Sequence, residues 1–188
     1  MKKGFALLAM LGCLTMGVAH ATAPKGWFVN GPAQDSYDIG IQASTRQAGG
    51  NSAYIRSIKD NNGFGSMMQT IKADAYRGKR IRLSGQLSTK AANKAALWMR
   101  VDGSERRILG FDNMDQRAPH GDSDWKEYSI VLDVPADAVD IAFGFLLERK
   151  GEVVVENLRL ETVGNNVPTT DMPRQQFPAA PVNMNFSP

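Results

Sequence analysis

Residues 80–87 read Arg-Ile-Arg-Leu-Ser-Gly-Gln-Leu, with Ile81, Leu83, Gly85 and Leu87 on one phase and Arg80, Arg82, Ser84 and Gln86 on the other. Successive side chains of a strand point to opposite faces, so a strict period of two marks a half-buried β-strand. The pattern recurs. Leu97, Met99 and Val101 alternate with Trp98, Arg100 and Asp102, and Tyr128, Ile130, Leu132 and Val134 alternate with Glu127, Ser129 and Asp133. Ile141, Phe143, Phe145 and Leu147 share a phase, with small Ala142 and Gly144 on the other. Weaker strands are expected at 37–41, 53–58, 64–71 and 108–111. Turn-forming pairs punctuate them, including Asn62-Gly63, Asp102-Gly103 and Lys150-Gly151. Residues 73–76 have room for one helical turn, and residues 91–95 read as a loop. Many short strands with frequent turns predict an antiparallel sandwich or barrel, not a βαβ fold.

The last strand, Glu152 to Leu160, carries a slip. Val153 and Val155 share one phase, but Leu158 and Leu160 fall on the other. An extra residue at Glu156-Asn157 accounts for this, and such bulges occur at sheet edges and beside sites.

Both ends differ from this β region in composition. Lys2 and Lys3 precede an uncharged apolar run from Gly4 to Val18, followed by Ala19-His20-Ala21. That is the layout of a secretory signal peptide over residues 1–21, and it predicts a periplasmic or secreted protein. The run is short for a membrane span, and no membrane-spanning segment is expected elsewhere. Cleavage removes Cys13 together with Lys2 and Lys3. The basic count then falls from 22 to 20 against 19 acids, so the net charge falls from +3 to +1. A near-neutral chain with interspersed signs offers no electrostatic case for nucleic acid. From Gly164 to Pro188 five prolines lie among Asn, Thr and Gln, which predicts a disordered tail. The expected organisation is a signal peptide over 1–21, a β-sandwich domain over 25–163 and a proline-rich tail over 164–188.

Across residues 26–163, the segments YRGKRIRLSG, LWMRVDG, FDNM, LDVP and IAFGFLLERKGEVVVENLRLE carry a resemblance. They resemble an accessory β-sandwich domain found in bacterial proteins labelled transcriptional regulators and in some exported peptidase-like or esterase-like proteins. More distantly, the stretch is similar to the galactose-binding-like carbohydrate-binding modules. The resemblance implies an antiparallel jelly-roll β-sandwich that accompanies other domains, with no room here for a helix-turn-helix or hydrolase domain beside it. It also directs attention to Glu156-Asn157, the position matching an acidic residue that holds a structural calcium in the wider group. No other cofactor is expected, and the identity of any metal is left unknown.

The most polar stretch is FDNMDQRAPHGDSDW, residues 111–125. Its aspartates Asp112, Asp115, Asp122 and Asp124 could form a carboxylate pair for hydrolysis, the third-ranked reading. Against this, His120 has no thiol partner, no G-x-S-x-G elbow occurs, and clustered aspartates beside Gly and Pro commonly form solvated turns. No catalytic residue is therefore assigned. A binding site asks for apolar walls with a few convergent polar groups. If Leu97, Met99 and Val101 face the core, Trp98 and Arg100 face outward. Asp112, Asn113 and Arg117 would approach from the loop and Trp125 would close it, with Gly144, Gln86 and Ser84 on the same surface. The expected ligand is carbohydrate or another small polar molecule. The alternative is a protein-interaction or assembly module that uses the outer sheet or the tail.

Overall fold

The computed structural model describes residues 23–171 and 180–186. The expected signal peptide, residues 1–21, and part of the proline-rich tail lie outside these residues. Ten strands are arranged as two five-stranded antiparallel sheets. They are β1 (Phe28–Asn30), β2 (Tyr37–Ala43), β3 (Asn51–Ser57), β4 (Phe64–Lys72), β5 (Arg80–Ala92), β6 (Lys94–Asp102), β7 (Ile108–Asp112), β8 (Gly121–Asp133), β9 (Asp140–Glu148) and β10 (Glu152–Val163). The first sheet has the order β1-β4-β9-β6-β7, and the second has the order β2-β3-β10-β5-β8. The described residues contain two 3-10 turns, Gln34–Ser36 and Ser104–Arg106, and no α-helix. This is an antiparallel β-sandwich, as the alternation and the resemblance predict.

The period-two phases set the core. Ile81, Leu83 and Leu87 of β5 face Leu97, Met99 and Val101 of β6 across the sandwich, and all six are buried. Phe143 and Phe145 lie on β9, the middle strand of the first sheet, and both are buried. Phe143 meets Trp27 edge-to-face, with ring centroids 6.1 Å apart. Gly144, on the opposite phase, lets β4 come close: a Cβ there would stand 2.2 Å from the Met67 carbonyl oxygen.

Two expected loops are strand instead. Residues 91–95 include the end of β5 and the start of β6, and residues 121–125 open β8. Ala91 takes a positive φ at the first of these joints. The slip in the last strand is a bulge. The pairing of β10 with β5 shifts between Glu156 and Arg159, and Asn157 has φ 53°.

The chain beyond β10 is irregular from Gly164 to Asp171, yet it is tethered to the edge strand β8. Thr170 donates its amide to the Val131 carbonyl at 2.8 Å, and its hydroxyl accepts the Val131 amide at 2.8 Å. Arg80 holds the Asn165 and Val167 carbonyls while also pairing with Asp133. Exposed strand edges invite pairing with other chains, and this strap covers part of one.

Candidate functional site

Alternation on β6 turns Trp98 and Arg100 to the outer face of the first sheet, where Trp98 is opposite Gly144 and Arg100 is opposite Phe111. Neither side chain is loose. The Trp98 indole N–H donates to the Ser66 hydroxyl at 2.9 Å, and Arg100 binds Asp102 at 2.8 and 3.0 Å. Asn113 joins them on this face, beside a concavity that also touches Phe64 and Leu146.

Asp112 does not share that surface. It is paired with Met99, on the inward phase, and is 1% exposed. Its carboxylate accepts from the Met114 amide at 2.8 Å and from both terminal nitrogens of Arg117. Arg117 also donates to the Ser129 carbonyl on β8. Buried carboxylates need such partners, so this pair fixes the loop after β7 and has its bonding capacity largely occupied. The remaining aspartates scatter. Asp115 pairs with Lys94, Asp122 accepts the Ala91 amide at 2.6 Å, and Asp124 is exposed. His120 rests its Nδ1 against the Asn93 carbonyl.

Trp125, Gln86 and Ser84 belong to the other side of the molecule. In β8 and β5 they sit on the outward phase, so they lie on the outer face of the second sheet, away from Trp98. There the sequence marks Glu156 as a bulge and a calcium-matching position, but not as the centre of a polar cluster. Glu156 is buried at 6% exposure on an outer sheet face, and accepts hydrogen bonds from Ser44 and Ser52, each at 2.7 Å. Arg46, from the β2–β3 loop, stands 3.6 Å from its second oxygen, binds Gln86, and lies over the Trp125 ring at 4.8 Å from the centroid. Burial pushes the Glu156 carboxyl upward, but the two hydroxyl bonds and the Arg46 charge outweigh this and hold it below the usual glutamate range.

The surface continues across β3 and β2. Arg56 covers the Tyr54 ring at 4.0 Å, pairs with Glu152 at 3.0 Å and reaches Gln42. The Ser84 hydroxyl is buried without a partner. Aromatic faces, amides and a fixed charge pair thus share one outer face. The phase slip at Glu156-Asn157 was the available signal. Its partners Ser44, Arg46 and Ser52 lie more than a hundred residues earlier in the chain and left no trace in local pattern.

Calcium fits this arrangement poorly. It takes six to eight oxygen ligands, several of them carboxylates as a rule. Glu156 has hydroxyl donors and a guanidinium around it. Among the described residues no three His, Cys, Asp or Glu side chains gather as a metal site.

No family model matches the chain. A Bacillus subtilis protein, the uncharacterized HTH-type transcriptional regulator YbfP, is 40% identical over 167 residues, which is 86% of this chain and 56% of that one. The chain thus spans little more than half the length of that relative. Among solved structures, the CBM22-1 xylan-binding domain of Paenibacillus barcinonensis Xyn10C superposes with TM-score 0.55 at 10% identity, covering 77% of this chain and 90% of that one. The C-terminal family 22 carbohydrate-binding module of Clostridium thermocellum Xyn10B gives TM-score 0.55 at 13% identity, covering 76% and 89%. The chain has the β-sandwich fold of carbohydrate-binding modules. At these identities the likeness is one of fold. No helix among the described residues is long and apolar enough to cross a membrane.

Proposed function

We propose that this protein is an exported, non-catalytic carbohydrate-binding module whose ligand lies on the outer face of the second sheet, around Glu156, Gln86, Arg46 and Trp125. The observation that carries the reading is Glu156. A carboxylate withdrawn from water on an outer sheet face is costly unless bonded, and here it is held ready by two serine hydroxyls at a bulge beside a tryptophan. A sugar ring stacks its C–H face on the Trp125 indole, displacing the Arg46 guanidinium from above the ring. Arg46 then stays with Glu156 and Gln86, and these three groups take the sugar hydroxyls. Fold likeness to xylan-binding modules supports a polysaccharide ligand, and the similarity to part of a regulator supports a module that accompanies different partner domains.

Calorimetry against a panel of soluble glycans, xylan among them, tests the site. The wild type binds at least one glycan. Trp125→Ala and Glu156→Gln each weaken it by about tenfold or more, the equivalent of about 1.4 kcal/mol. Binding that survives both changes, or no binding across the panel, sinks the proposal. Export is tested separately by N-terminal sequencing from the native host, which should begin at Thr22 or Pro24; an intact Met1 on a cytosolic product refutes it.

A further inference from the structure

The outer face of the first sheet holds a concavity of about 250 Å³ that the carbohydrate reading leaves unused. Its walls are Phe64, Trp98, Phe111 and Leu146, and Asn30 and Asn113 stand with them. Three aromatic rings around one hollow favour a flat, apolar guest, which gains offset or edge contacts with each ring. The size agrees, since even a cavity of about 150 Å³ lined by apolar side chains accepts benzene.

The polar groups restrict the guest further. The two charged residues at the hollow are already neutralised: Arg100 binds Asp102, and Glu148 accepts from Lys94 at 2.9 Å. An ionic ligand would find no unpaired counter-charge. Ser66 is also committed, accepting the Trp98 indole N–H and donating to the Phe145 carbonyl at 2.9 Å. The exception is Asn113, whose Oδ1 is buried with no hydrogen-bond partner. The terminal torsion of an amide is soft, so a modest turn presents that oxygen to a donor in the hollow. Asp112, immediately before it, accepts the amide of Met114, immediately after it, and pairs with Arg117, so the backbone that carries Asn113 is held in place. A pyranose would set several hydroxyls against Phe64, Phe111 and Leu146, where they would lose their water bonds without replacement. One donor on an aromatic ring satisfies the site.

We propose that this hollow is a second ligand site, independent of the Glu156 face, that takes a small neutral aromatic molecule bearing one hydroxyl donor, with the ring among Trp98, Phe64 and Phe111 and the hydroxyl on Asn113. Titration calorimetry on the full chain compares p-cresol with 4-methylanisole, which has the same ring and no donor. The expected result is saturable one-to-one binding of p-cresol, with 4-methylanisole weaker by about tenfold or more. Asn113→Ala should cut that preference to less than about threefold, and Phe111→Leu, a milder change in case the first variant folds poorly, should weaken both probes. Glu156→Gln should leave p-cresol binding unchanged, which separates this site from the sugar face. The proposal is overturned if p-cresol shows no saturable binding, if the two probes bind equally, if Glu156→Gln abolishes p-cresol binding, or if methyl β-glucoside displaces it.

Discussion

Trp98 reaches across β9 to Ser66 on β4, and the 2.9 Å bond from its indole nitrogen ties three neighbouring strands together on their outer side. The ring is thus a structural member as well as a wall of the hollow. Trp98→Phe keeps most of the ring but loses the bond, and should cost about 1 kcal/mol of stability. Trp98→Ala also uncovers the sheet and should cost about 3 kcal/mol, the low end of the range for deleting a large buried ring. Urea denaturation of both variants checks this; an unchanged Trp98→Ala midpoint would mean that the indole carries no structural load.

Glu156 makes stability depend on acid. Its folded carboxyl titrates below the ordinary glutamate range, so the unfolded chain takes up the proton first as pH falls. The stabilisation is therefore fully present above that range and is lost progressively as pH drops through it toward the folded value. Glu156→Gln keeps the shape and an acceptor oxygen but cannot titrate. Melting temperatures between about pH 7 and 3 should fall more steeply for the wild type than for the variant. Parallel curves would show that Glu156 does not contribute to the acid limb.

Phe145 fills the middle of the first sheet and is 1% exposed. Phe145→Ala should cost about 3–5 kcal/mol. Phe143→Ala should cost a comparable amount, with loss of the Trp27 edge contact included. A Phe145→Ala variant as stable as wild type would place the core elsewhere.

The strand phases were legible because period two reports which side of its own strand a residue occupies, and burial follows directly for Leu83, Met99, Ile130 and Phe145. What the period cannot report is which sheet the strand joins. Trp98 and Trp125 both point outward, yet β6 pairs with β9 and β8 pairs with β5, so the two rings sit on opposite outer faces. Grouping them required knowing those long-range pairings. Asp112 was misplaced for a different reason. A carboxylate in a polar loop reads as solvated, and only the arrival of Arg117 makes its inward phase affordable. Glu156 announced itself as a break in pattern, whereas Arg46 and the two serines around it come from the β2–β3 hairpin, which pattern alone does not bring near.

The strap after β10 makes the last prediction, because a composition rich in proline and polar residues gave no hint of attachment. Val131 is on edge strand β8, and both of its backbone groups are used by Thr170. Thr170→Val keeps the shape and the amide bond to the Val131 carbonyl, but removes the hydroxyl that accepts the Val131 N–H. That amide should then exchange with solvent about tenfold faster, equivalent to about 1.4 kcal/mol of local protection, while amides in central β9 are unchanged. Arg80→Ala should loosen the same strap from its other end, since Arg80 holds the Asn165 and Val167 carbonyls. Exchange at Val131 that is already fast in the wild type, or unaffected by either substitution, would show that the segment does not cover the edge in solution.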